Sequence, residues 1–151
     1  MKTLLIWLSW VLLTSCGKAQ DKDTPTPILP SGYLYKVEPG IPGKATYVCG
    51  ERPFNSKGEL VAVGDLDGQT KQVFDNIKTS LATVNMTLKD VVQIKYLVRG
   101  TYTNVSADTV QRLNKVSAAY FSTPPQLIDM KSIAKIVRDD VLIEIEVIAS
   151  N

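Results

Sequence analysis

The sequence predicts an α+β domain in which a mixed sheet carries two helices packed on one face, and three observations predict it. Two stretches place apolar residues at helical spacing: Val73, Phe74, Ile77, Leu81 and Val84, then Val110, Leu113, Val116 and Tyr120. Short runs rich in β-branched residues flank and separate them. The resulting order of strands, helix, strand, helix, strands is that of one sheet covered by both helices.

Each element has a local reason. Tyr33 to Val37 and Thr46 to Cys49 read as short strands divided by the turn residues Pro39-Gly40-Ile41-Pro42-Gly43. Gly50-Glu51-Arg52-Pro53 is expected to interrupt pairing, and Asn55-Ser56-Lys57-Gly58 makes a further turn. The first helix follows Gly68. Thr87 and Asp90 are spaced to cap a short turn before the strand Val91 to Val98. Ser106 or Asp108 starts the second helix, and Pro124-Pro125 ends it. Two strands follow, Leu127 to Ile136 and Val141 to Ala149, joined by the charged turn Arg138-Asp139-Asp140. In the last strand Val141, Ile143, Ile145 and Val147 share one face, while Glu144 and Glu146 project from the other. The apolar face is core; two carboxylates on the opposite face call for a reason.

Length and composition bound the chemistry. A chain of 151 residues, 44% hydrophobic and 21% charged, suits one globular domain. A net charge of +2 with no long basic block points away from nucleic acid. The chain contains no histidine, which removes every mechanism needing an imidazole base and every histidine-ligated metal site. Its two cysteines are too few for a structural zinc site.

The N-terminus adds an address. After Lys2, the apolar run Leu4 to Leu13 is about half the length of a spanning helix and reads as a signal-peptide core. Leu13-Thr14-Ser15-Cys16 resembles the bacterial lipobox, which implies lipidation of Cys16 and an exported, membrane-anchored lipoprotein on the periplasmic or outer-membrane side. Gly17 after that cysteine favours release to an outer membrane. Residues 1–15 are then the signal peptide, the polar, proline-rich stretch 16–31 a lipidated tether, and 32–151 the domain. With Cys16 acylated, Cys49 stands alone and no intramolecular disulfide forms.

Five segments of the domain, in order, carry a family resemblance. Tyr47-Val48-Cys49-Gly50 is similar to a strand ending in Ser-Gly. Gln69 to Lys78 is similar to a helix of pattern Q-x-x-x-x-x-x-N-I/V-K, and Leu88-Lys89-Asp90-Val91-Val92 to L-x-D-V/I-V/L-K. Leu113 to Phe121 is similar to V-N-x-x-Y-x-x-F-F, and Asp140 to Ala149, DVLIEIEVIA, to the closing strand D-V-x-I-E-I-E-A-I-A. Together they resemble the RidA/YjgF family of reactive-intermediate deaminases over Tyr33 to Ala149. The resemblance implies a chorismate-mutase-like fold, a homotrimer with a small-molecule cleft at each subunit interface, and hydrolysis of imines or enamines to carbonyl compounds and ammonia. It implies no metal and no organic cofactor.

For the site, the resemblance makes Glu144 the residue that positions the attacking water. The family's substrate-clamping arginine, in a P-x-R sequence, is replaced here by Pro125-Gln126-Leu127, so that Leu127, or Asp129 with the alignment slid by two residues, stands at the clamp position and neither is basic; the connection from Arg99 to Thr109 is longer than the family's. Gly50, Glu51 and Arg52 follow the cleft strand. Arg52 is either a relocated positive charge or a surface arginine paired with Glu51. Glu144 is either the base or a structural carboxylate, and Glu146 a solvated or interface group. Cys49 is either a nucleophile, with no imidazole to activate it, or a small apolar core residue. Tyr33 or Tyr35 covers the cleft, and Asn114 matches a family asparagine or is a helix-face amide. Three functions fit: a tethered imine or enamine hydrolase with altered substrate preference, a small-ligand-binding trimer without turnover, and a partner-binding trimer using avidity at the membrane.

Overall fold

The computed structural model describes residues 32–37, 46–101 and 104–150, with residues 33–37 described by their backbone alone. The signal, the tether and Cys16 lie outside the described residues. Among the described residues no helix is long and apolar enough to cross a membrane.

Five strands form one sheet in the order β1-β2-β5-β3-β4. They are β1 (Tyr33–Val37), β2 (Thr46–Glu51), β3 (Val91–Arg99), β4 (Gln126–Ile133) and β5 (Ile143–Ser150). All neighbours are antiparallel except β3 and β4, which are parallel. Parallel neighbours need a crossover, and α2 (Ala107–Ser117) supplies it between β3 and β4. Helix α1 (Leu66–Ala82) makes the other crossover, from β2 to β3, and leaves between them the gap that β5 fills. The last strand in sequence among the described residues therefore occupies the centre of the sheet.

Local signals set the helix ends. Asp65 caps α1 by accepting from the Asp67 amide, and Ser106 caps α2 by accepting from the Thr109 amide at 3.2 Å. Helix α1 begins before Gly68 and ends at Ala82, so Val84 packs on the core from the following turn. Thr87 and Asp90 form a reciprocal capping box around the short 3-10 turn Leu88–Asp90.

Both helices cover one face of the sheet. Val73, Phe74, Ile77 and Leu81 of α1 and Leu113 and Val116 of α2 pack with Ile94, Tyr96, Ile143, Ile145 and Val147 in one buried cluster. The Phe74 ring meets Phe121 edge-on at 5.5 Å. Tyr96 bonds Ser117 of α2, and burial raises its phenol above the usual range against that bond.

Two expectations change. Pairing does not stop at Cys49 but continues through Gly50 and Glu51, opposite Glu146 and Ile145, because the Glu51 side chain has a partner on α1. The penultimate strand spans Gln126–Ile133 and the last one Ile143–Ser150, both shifted from the boundaries read from apolar runs. The turn Arg138-Asp139-Asp140 does lie between these two strands in sequence, and in the sheet β3 separates them. At the start of β1, a Cβ on Gly32 would sit 1.5 Å from the Gly50 carbonyl oxygen, so the backbones touch where no side chain fits.

Candidate functional site

Alternation along β5 splits its side chains between two environments. Ile143, Ile145, Val147 and Ala149 are fully buried under the helices, whereas Glu144 and Glu146 stand on the uncovered face. Arg52, just past the end of β2, reaches the same face. Its Nε donates to Glu144 Oε2 at 2.8 Å, across 92 positions of sequence. The arginine side chain is 28% exposed and the glutamate 11%, so this charge-assisted bond is partly shielded from water. Glu144 Oε1 has no hydrogen bond among the described residues. One row along, Lys95 Nζ lies 3.6 Å from Glu146 Oε1, and Lys131 Nζ lies 3.5 Å from Asp129 Oδ2. The uncovered face thus carries alternating opposite charges, with Arg52 and Glu144 its best-shielded pair.

Polar residues set among the apolar residues of α1 hold the backbone that carries this pair. Asn76 Nδ2 donates to the carbonyls of Arg52 and Phe54, both at 2.8 Å, and Asn76 Oδ1 accepts from Gln72 Nε2 at 2.8 Å. Gln69 Nε2 donates to the Asp140 carbonyl at 2.9 Å, and its Oε1 accepts the Leu142 amide at 2.8 Å. Ser80 Oγ donates to Glu51 Oε1, and both side chains are fully buried. Gln69 and Asn76 fall within the helix motif recognised in the sequence, but their binding to the chain was missed. The available signal was polar residues recurring on the apolar side of an amphipathic helix, where a buried amide must find partners.

The structure gathers some of the candidate residues and separates others. Arg52 meets Glu144 rather than Glu51, and Gly50 lies on the same uncovered side, opposite Glu146. Cys49 and Glu51 point the other way, into the helix-covered core, because side chains alternate along β2. Neither side chain can line the uncovered face. Asn114 is exposed on α2, with the sheet between it and Glu144. Leu127, 52% exposed, is the second residue of the edge strand β4. Pairing places Glu144 opposite Leu97 and Leu97 opposite Lys131, so within one chain Leu127 lies about 13 Å along β4 from that row and two strands away. Tyr33 and Tyr35 pair in β1 through their backbones, and their side chains lie outside the described residues.

Electrostatics separate Cys49 from this chemistry. Burial pushes its thiol up to about 12 from 9.0; the charge of Glu51 adds to the rise and a bond from Ser80 opposes it. At neutral pH the group is a thiol, not a nucleophilic thiolate. Cavities of about 150 and 190 Å³ open elsewhere, one beside Gly100, Ser106 and Ser132, the other beside Lys89, Tyr120 and Phe121. Neither includes Arg52 or Glu144.

Residues 33–151 match a family model described as endoribonuclease L-PSP. A RutC family protein of Pyrococcus horikoshii is 30% identical over 131 residues, covering 85% of this chain and 92% of that one. The solved structure of the YjgF gene product from E. coli is 26% identical with a TM-score of 0.61, over 82% of this chain and 91% of that one. The structure of RidA from an Antarctic Psychrobacter is 26% identical with a TM-score of 0.59, over 76% and 84%.

Proposed function

The chain belongs to the RidA/YjgF family, and from that premise we propose that it hydrolyses reactive imines or enamines to carbonyl compounds and ammonia, with Glu144 as the base. The observation that carries this reading is the shielded Arg52–Glu144 pair on the uncovered face, with Glu144 Oε1 left open. Arg52 orients the carboxylate through Oε2, and Oε1 accepts a hydrogen bond from water. As that water's oxygen bonds to the imine carbon, its proton passes to Glu144 and the C=N electron pair moves to nitrogen. Glu144 returns that proton to the nitrogen, which leaves a carbinolamine. The Glu144 carboxylate then takes the hydroxyl proton and passes it to the nitrogen as the C–N bond breaks. The oxygen's electron pair closes the C=O bond, and ammonia leaves a carbonyl product. An enamine enters by first taking a proton on carbon and losing one from nitrogen, which makes it the imine. The family description would suggest RNA cleavage, but the chain has no imidazole, and the cations closest to Glu144 and Glu146 are paired with them.

The substrate differs from the carboxylate-bearing imines that the family's P-x-R arginine suits, since Leu127 offers no charge and Arg52 is engaged by Glu144. That engagement also favours a second reading, a trimer that binds a small ligand without turnover. Ammonia release from freshly generated imines separates the two. Turnover that disappears in Glu144→Gln supports the hydrolase, whereas turnover at the wild-type rate in that variant removes the proposed base.

The assembly proposed is a homotrimer with a cleft at each interface, anchored through lipid on Cys16 after export. Sedimentation of the purified protein tests the first. Incorporation of labelled fatty acid, lost in Cys16→Ser, tests the second.

A further inference from the structure

The two residues of the proposed site are far apart in sequence, and each sits beside a backbone segment bound by the same helix. Asn76 binds the carbonyls of Arg52 and Phe54. Gln69 binds the Asp140 carbonyl and the Leu142 amide, on the segment that leads into Glu144. Seven residues are close to two helical turns, so the two amides share one side of α1 about 10 Å apart along its axis. Gln69 is fully buried. Gln72 donates to Asn76 Oδ1 and thereby turns both amide hydrogens of Asn76 toward the Arg52 segment. Ser80, one turn beyond Asn76, holds the Glu51 carboxylate.

We propose that Gln69 and Asn76 are a positioning pair: α1 acts as a ruler that sets the register of the Arg52 segment against the β5 entry, and so sets the Arg52–Glu144 bond. The pair works from the covered side of the sheet and touches no substrate. The spacing has a chemical purpose that core packing does not supply. An apolar residue at either position fills space equally well but leaves the chain carbonyls without donors and the two segments free to slide. A slip of about 1 Å between Arg52 Nε and Glu144 Oε2 turns a 2.8 Å bond into none. The role in catalysis rests on Glu144 being the base; the role in setting the ion pair does not.

The test uses the full-length protein labelled with ¹⁵N. An arginine Nε–H held by a carboxylate exchanges slowly with water, and the Arg52 signal is identified by its absence in Arg52→Lys. In Asn76→Ala and Gln69→Ala we expect that signal to broaden or vanish while the backbone amide pattern persists. On an imine substrate kcat falls about 10- to 100-fold with KM little changed. Thr70→Ala removes another buried hydroxyl of α1, one bonded only to the Leu66 carbonyl, and keeps the Arg52 signal. Persistence of the signal and of kcat in Asn76→Ala overturns the proposal. Should Asn76→Ala fail to fold, Gln72→Ala, which only releases the Asn76 amide, decides: a weakened Arg52 signal supports the ruler and an unchanged one overturns it. A wild-type protein without turnover, in which the signal still depends on Asn76, removes the hydrolase reading and keeps the positioning pair.

Discussion

Replacing Cys49 with alanine isolates one buried proton. The Cys49 side chain is fully buried, and its thiol is pushed up to about 12 from 9.0, chiefly by burial and then by the charge of Glu51. Because the folded-state value is the higher one, the native state keeps its proton at pH values where the unfolded chain has lost its own. The associated stability is full below pH 9.0 and is lost as pH rises toward 12. Three pH units at 1.36 kcal/mol each make the whole loss about 4 kcal/mol, of which about 2 kcal/mol has gone by about pH 10.5. Urea unfolding of wild type and Cys49→Ala, at one protein concentration and at successive pH values from 8 to about 10.5, reads this directly. The variant starts about 1 kcal/mol less stable from the lost sulfur contacts, and the gap then closes and reverses as pH rises, because tyrosines and lysines titrate alike in both proteins. Two curves that stay parallel would refute the reasoning, as would native protein whose thiol reacts with a disulfide reagent at neutral pH as fast as unfolded protein does.

Three further outcomes follow from the same structure. A double-mutant cycle with Arg52→Ala and Glu144→Ala should give a coupling energy of about 1–3 kcal/mol in urea unfolding, the range for a hydrogen bond to a charged group; a value near zero would make the pair a surface contact without consequence. Ile145→Ala, at a fully buried position facing the helices, should cost about 2–5 kcal/mol in the same assay, and a loss under about 1 kcal/mol would contradict the assigned register of β5. Gly32→Ala drives a methyl group into the Gly50 carbonyl and should destabilise by about 1–3 kcal/mol. Hydrogen exchange should show the loss concentrated on β1 and β2, and unchanged protection there would refute the close approach.

Much of the fold was legible because its causes are local. The two-residue period of Ile143, Glu144, Ile145, Glu146 and Val147 separates a buried face from a polar one in any sheet that covers one side. The apolar spacing of α1, the Ser106 cap and the Thr87–Asp90 box act within one or two turns, so they can be read without knowing what they pack against. The lack of histidine is likewise a property of the chain, and it excludes imidazole chemistry whatever the fold.

The candidate site was legible only in part, for reasons of distance and direction. Glu144 was found by its place in the closing strand, but its partner was not, since Arg52 lies 92 residues away and had Glu51 as a nearer carboxylate. Glu51 and Arg52 are adjacent in sequence and on opposite sides of the sheet, a consequence of strand alternation that becomes decisive once pairing is known to extend through Glu51. The same alternation puts Cys49 in the core and not on the site face.

Sequence alone thus determined which segments are strands and helices, which face of the last strand is buried, and that imidazole chemistry is absent, because periodicity, capping and composition are properties of neighbouring residues. Tertiary structure alone decided that β5 inserts between β2 and β3, that Arg52 meets Glu144, and that Gln69 and Asn76 hold the two backbone segments in register. Those are pairings across the chain, and each is settled by which buried polar group can find a partner once the sheet and helix have closed on one another.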